Sequence, residues 1–269
     1  MARRAAGHAD ARVPIGLAVP AVLGLTLLLL PLIGLVARVP WSRLGDILTS
    51  PEVLSALRLS LTTAAITTLL CLVCGVPLAW LLARTQLPGR ALLRGLVTVP
   101  LVLPPVIGGV ALLVTFGRNG LLGEWLYETF GISLPFTTAA VVMAQSFVAM
   151  PFLVVAVEGA LRTVDRRYED IAATLGASAW TTFRRVTLPA VAPGVLAGAV
   201  LCWARALGEF GATVTFAGTF PGTTRTMPPA AYAAINAGDM ETAIVLSLLM
   251  IVVSVVVLVS LRDRWVRTG

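Results

Sequence analysis

The chain has 269 residues, 58% of them hydrophobic and only 12% charged, with a mean hydropathy of +0.92. A soluble domain is roughly 45–50% apolar and about 25% charged, so a soluble enzyme is excluded and lipid must solvate much of the apolar surface. All 20 basic residues are arginine, and the formal net charge is +7. Without lysine there is no P-loop or Schiff-base lysine, and the single histidine, His8, lies in the polar N-terminal tail. That removes histidine-based triads and most zinc or haem chemistry, so no catalytic residue, metal ligand or cofactor is assigned.

In chain order, six apolar stretches are long enough for a helix to cross the hydrocarbon, which takes about 20 residues. They cover residues 15–37, 59–83, 95–116, 138–157, 190–212 and 242–261. The first follows Arg3, Arg4 and Arg12 but is longer than a signal-peptide core and has no convincing cleavage site, so it is read as a helix. The third contains Pro100, Pro104 and Pro105, followed by Gly108 and Gly109, and is expected to kink or break. Cys71, Cys74 and Cys202 all fall within spans; Cys71 and Cys74 have no partner pair nearby and read as small buried hydrophobes.

Short positively charged loops stay cytoplasmic. With the N-terminus inside, the inner segments hold fourteen arginines and the outer loops five, namely Arg38, Arg43, Arg58, Arg118 and Arg225. The expectation is an all-α membrane protein of six transmembrane helices with both termini cytoplasmic. Its organisation reads as a tail (1–14), a first helix with external loop (15–56), a core of five helices (57–261) and a second tail (262–269). The basic balance is a topology signal and needs no nucleic acid.

Two loops are too long for simple connectors. The first, 162–189, places Tyr168, Ile171, Ala172, Leu175, Ala179 and Phe183 at helical spacing, with Arg166, Arg167, Glu169, Asp170, Arg184 and Arg185 on a polar face. This predicts two short amphipathic helices hinged at Gly176, ending before Leu188 and Pro189. Such an element either lies on anionic lipid or docks a soluble partner. The second, 213–241, is expected outside the membrane.

The first loop resembles the cytoplasmic signature of binding-protein-dependent ABC importer permeases: E-A-A, three residues, G, nine residues, I-x-L-P. Asp170, Ile171 and Ala172 stand at the E-A-A, Gly176 at the glycine, and Val186, Thr187, Leu188 and Pro189 at the I-x-L-P. Asp replaces Glu, Ile the first Ala, and Val the Ile. The run from Ala204 to Thr213, A-R-A-L-G-E-F-G-A-T, with F-A-G, P-G and T-R-T-x-P after it, is similar to the molybdate permeases; Thr219 stands where those chains usually carry Asn. The resemblance covers residues 55–261. It implies the type I importer permease fold in a prokaryotic cell membrane, importing molybdate by alternating access. It also implies that the loop residues Asp170, Ile171, Ala172, Gly176, Val186, Leu188 and Pro189 couple to a separate ATP-binding subunit. The implied partners are two ATP-binding subunits, a second copy of this chain, an extracytoplasmic molybdate-binding protein and membrane lipid. Sulfate, tungstate or thiosulfate import is the alternative in the same architecture. An ion-coupled secondary transporter would need more intramembrane acids or histidines, and internal repeats.

Arg205 and Glu209 lie four apart, on one helix face, in the only charged span. At about 1.5 Å per residue Glu209 falls roughly 28 Å along the span, towards the outer boundary. Charges there face the bundle interior or water. The pair reads either as an ion pair ordering the bundle or, with Thr213 and Thr215, as part of the translocation pathway. Close packing by small residues would equally account for Gly211 and Gly218.

Overall fold

The computed structural model describes residues 15–266, and every regular element among them is helical. Among the described residues, five helices are long and apolar enough to cross a membrane, or six if one bent pair counts as a span. The tail with Arg3, Arg4, His8 and Arg12 lies outside the described residues, as does Arg267.

In chain order the helices are α1 (Ile15–Ala37), α2 (Leu44–Leu48), α3 (Pro51–Arg84), α4 (Arg90–Val102), α5 (Pro105–Phe116), α6 (Gly123–Phe130), α7 (Thr138–Thr163), α8 (Arg167–Thr174) and α9 (Ala179–Thr182). A π turn (Phe183–Thr187) follows, then α10 (Leu188–Leu207), α11 (Gly211–Ala217), α12 (Met227–Asn236) and α13 (Met240–Val266). α3 begins eight residues before the expected span. Pro51 occupies its first turn, where a missing N–H costs nothing, and the Ser50 hydroxyl accepts from the Val53 amide at 3.4 Å.

α3, α7 and α10 form the core, with Ala79, Leu153, Val157, Cys202 and Ala206 among its buried residues. In lipid, apolar side chains gain nothing by leaving their solvent, so close backbone approach and internal hydrogen bonds hold helices together. Small residues permit the approach: a Cβ on Gly194 would lie 2.3 Å from Ala160 Cβ, and one on Gly75 would lie 3.0 Å from Leu153 Cδ2. Between α3 and α7, Thr67 Oγ1 donates to Gln145 Oε1 at 3.0 Å, while Gln145 Nε2 donates to Thr63 Oγ1 at 3.2 Å. α1 buries none of its apolar window, as expected of a helix solvated by lipid. Cys71 is buried as expected, but Cys74, expected to be buried too, is exposed on the outward face of α3; Cys202 is buried.

The third span departs from a continuous helix. The chain bends by 116° between α4 and α5. A residue before proline is driven to extended backbone, and two in succession obey this: Leu103 (ψ 129°) before Pro104, and Pro104 (ψ 130°) before Pro105. The fifth span also breaks, at Gly208, so α10 ends before Glu209 and α11 starts anew at Gly211. Consequently 213–217, expected at the start of an external loop, is helical instead. α11 packs against α5 and α7, and Thr213, Phe216 and Ala217 are fully buried.

α5 and α11 touch through glycine. A Cβ on Gly109 would sit 2.7 Å from Thr215 Cβ and 2.9 Å from the Ala212 carbonyl oxygen, whereas one on Gly95 would meet nothing within 4 Å. Gly109→Ala is therefore expected to destabilise the purified chain by roughly 1–3 kcal/mol through overpacking. Gly95→Ala should be neutral or stabilising by up to about 1 kcal/mol, from helix propensity alone. Unfolding in detergent micelles checks the opposite signs.

Candidate functional site

The loop between α7 and α10 contains the two short helices its spacing predicts, and Gly176 separates them. Gly176 has φ +82°, a left-handed conformation that a side chain would strain. Its amide donates to the Ala173 carbonyl at 3.0 Å and the Ala177 amide to the Ala172 carbonyl at 3.0 Å, which closes α8 as a Schellman motif. Ser178 then restarts the helix, its hydroxyl accepting from the Thr181 amide at 3.2 Å. The second helix does not stop before Leu188 and Pro189 as expected. It continues through the π turn, in which the Leu188 amide reaches back to the Phe183 carbonyl, into α10. The wider turn accommodates Pro189, which has no N–H and would crowd the preceding turn of a regular α-helix.

The acid that fastens this loop is Glu169, not its exposed neighbour Asp170. Glu169 Oε1 accepts from Arg84 Nε at 3.1 Å and from Thr187 Oγ1 at 2.9 Å. Arg84, its side chain only 6% exposed, also donates through Nη2 to the Val164 carbonyl at 3.2 Å. Arg166 Nη2 reciprocates, donating to the Ala83 carbonyl at 2.9 Å. α8 is thus tied at once to the C-terminus of α3 and to the turn that opens α10. The opposite side of α8 is apolar and open: Tyr168, Ile171 and Leu175 are all exposed. Ala172, Val186 and Leu188 are half-buried; Gly176 and Pro189 are exposed.

A second cluster braces the same end of the bundle. Buried Glu158 on α7 accepts from Arg94 Nε of α4 at 3.0 Å and from Arg162 Nη2, one turn along its own helix, at 2.8 Å. Glu158 lies one residue past the uncharged stretch 138–157 and is therefore not apparent as a site residue from the sequence. Its i,i+4 spacing to Arg162 was the available signal. Arg84, Arg94 and Glu169 gave none individually, because their pairing joins segments far apart in the chain.

Arg205 and Glu209 pair within one chain. Arg205 Nη2 lies 2.6 Å from Glu209 Oε2, without the alignment of a hydrogen bond, while Glu209 Oε1 accepts from the Ala212 amide at 2.9 Å. Glu209 is 1% exposed. It therefore satisfies an orphan amide at the start of α11 while neutralising Arg205 across the break. Thr213 is fully enclosed, and its hydroxyl has no hydrogen-bond partner among the described residues. Thr215, half-buried, donates to the Gly211 carbonyl at 2.8 Å. The structure brings Arg205, Glu209 and α11 together around one break.

Removing one member of a buried ion pair strands the other. Glu169→Gln is expected to destabilise the chain by about 3 kcal/mol, and Asp170→Asn by less than about 0.5 kcal/mol, in chemical denaturation in micelles. Equal effects would deny Glu169 its anchoring role.

The family described as "Binding-protein-dependent transport system inner membrane component" matches residues 75–267. Among curated relatives, the molybdenum transport system permease protein ModB of Mycobacterium tuberculosis is 48% identical over 259 residues, covering 96% of this chain and 97% of the relative. The Escherichia coli protein of the same name is 46% identical over 196 residues, 73% of this chain and 85% of its own. The sulfate transport system permease protein CysT of Escherichia coli is 33% identical over 246 residues, 90% of this chain and 88% of its own. Among solved structures, a bacterial ABC transporter importing alginate superposes with a TM-score of 0.75 at 16% identity, covering 94% of each chain. The MetNI methionine ABC transporter in an inward-facing conformation gives 0.63 at 18% identity, over 81% of this chain and 95% of that one. The chain belongs to the family of binding-protein-dependent transport system inner membrane components.

Proposed function

We propose that this chain is the membrane-spanning subunit of an ATP-driven importer for molybdate, with residues 57–261 as its transport core. The observation that carries the substrate is the 48% identity to a molybdenum permease along nearly the whole chain, against 33% to a sulfate permease. The arginine bias supports placing both termini and the α8–α9 loop at the cytoplasmic face. Two copies of the chain would enclose one path, served by two ATP-binding subunits and one extracytoplasmic binding protein. Hydrolysis belongs to the ATP-binding subunit, since a chain without lysine has no P-loop lysine.

In this reading the loop residues Asp170, Ile171, Ala172 and Gly176 face the ATP-binding subunit, and Val186, Leu188 and Pro189 join them to α10. The exposed apolar side of α8 seats in the partner. A displacement of α8 passes to α3 through Glu169 and Arg84, and to α10 through Thr187. At the far end of α10 it reaches Arg205 and Glu209, and then α5 by way of α11. Arg205 and Thr215 border the path, and Thr213 supports it from behind. Because Glu209 cancels much of the field of Arg205, the path attracts an oxyanion only weakly, and selectivity falls to the binding protein. ATP binding then biases inward-open against outward-open arrangements.

Proteoliposomes containing the permease, its ATP-binding subunit and its binding protein are expected to accumulate radiolabelled molybdate only with ATP and with both partners. Excess sulfate should leave uptake intact; strong competition would reassign the cargo, and uptake driven by an ion gradient alone would overturn the importer reading. Gly176→Leu places a Cβ in left-handed backbone, at a cost of roughly 1–2 kcal/mol in the loop. Uptake should fall to background while the chain still reaches the membrane. Retained uptake would remove the loop from the coupling route.

A further inference from the structure

The two halves of the α8–α9 loop differ in chemistry on either side of Gly176. α8 carries both acids, Glu169 and Asp170, beside its exposed apolar face. Beyond it there is no acidic residue until Glu209, and the only charges before Arg205 are Arg184 and Arg185. Both arginines are exposed, and neither makes an ion pair or side-chain hydrogen bond among the described residues. Here, too, the chain forms a cleft of about 280 Å³ lined by Pro77 and Trp80 of α3 and by Ala179, Trp180 and Phe183. Its walls are aromatic. Trp180 stacks on Phe183 at 5.7 Å between centroids, and Trp80 meets the same ring edge-on at 6.3 Å. Trp180 is nonetheless 68% exposed.

Depth identifies what fills such a cleft. Trp80 lies one turn before Arg84, the last residue of α3, so about 6 Å from the end of a membrane-spanning helix. That is the level of the aromatic belt, where ring faces meet acyl chains and cations meet headgroups. Arg184 and Arg185 follow Trp180 by four and five residues, and because the π turn they lie in bonds i to i+5, the two straddle the position one turn beyond Trp180. We propose that this cleft is a site for an anionic phospholipid of the leaflet at the loop's own end of the bundle. An acyl chain would lie against Trp80, Trp180 and Phe183, with the headgroup phosphate on Arg184 and Arg185. The first half of the loop faces a protein partner, and the second half is held to the membrane surface by lipid. The proposal concerns the embedded chain and does not depend on which ion is carried.

Tryptophan quenching by brominated acyl chains tests it, with the full permease chain in bilayers of phosphatidylcholine. Brominated phosphatidylglycerol or brominated phosphatidylcholine is added at equal mole fraction, and the Trp180 contribution is taken as the difference from Trp180→Phe. Phosphatidylglycerol is expected to quench Trp180 preferentially, the preference falling by about fivefold for each of Arg184→Gln and Arg185→Gln and fading at high salt. The salt titration on the unaltered chain keeps the test decisive if a variant fails to accumulate. Equal quenching by the two lipids, or a preference indifferent to salt and to both arginines, would overturn the site. So would loss of the co-purifying ATP-binding subunit from either arginine variant, since the arginines would then belong to the protein interface.

Discussion

One carboxylate holds the α8–α9 end of this molecule together. Glu169 accepts from the guanidinium of Arg84 at the end of α3 and from the hydroxyl of Thr187 where α10 begins. Because Arg84 is almost fully enclosed, its charge is stable there only with a counter-charge and further acceptors, which Glu169 and the Val164 carbonyl supply. A short helix that would otherwise hang from the bundle thereby becomes part of two spans. The apolar face it leaves open is carried on a rigid mount.

The rest of the bundle extends that rigidity by close packing. Gly194 and Gly198 let α10 approach the backbone of α7, Gly75 lets α7 side chains press onto α3, and the Thr63–Gln145–Thr67 bonds fix the register of α3 against α7. Two helices then break within the bundle, α4–α5 at consecutive prolines and α10–α11 at Gly208. The second halves of both are pressed together at Gly109 and Gly211. A shift at the loop therefore has a continuous, closely packed route to the break that holds Arg205 and Glu209.

Much of this was legible in the sequence because lipid imposes simple rules. Uncharged stretches located the spans, prolines located the α4–α5 break, and Gly176 marked the turn of the loop. What escaped were features created by three-dimensional pairing. Asp170 matches the motif position, yet the adjacent Glu169 makes the contacts, since only its side of α8 faces Arg84. The stretch after Glu209 reads as a polar, glycine-rich loop, whereas α11 is buried because Gly109 opens a groove for it. Thr213 of α11 is fully enclosed as well. Glu158 was lost at a span boundary because a charge normally ends a transmembrane stretch, while here Arg94 and Arg162 neutralise it.

The mount itself can be measured. Cys74 is exposed on α3 whereas Cys71 and Cys202 are buried, so a spin label on Cys74 and another on Ala173→Cys report the distance between α3 and α8. In the assembled transporter, labels on Ala173→Cys in a chain that also carries Cys74→Ser report the distance between the loops of two copies. If Glu169 makes α8 and α3 one body, the Cys74-to-173 distance stays constant through ATP binding and hydrolysis while the distance between copies changes. A Cys74-to-173 distance that changes with nucleotide would contradict it, and the loop would then move independently of the spans.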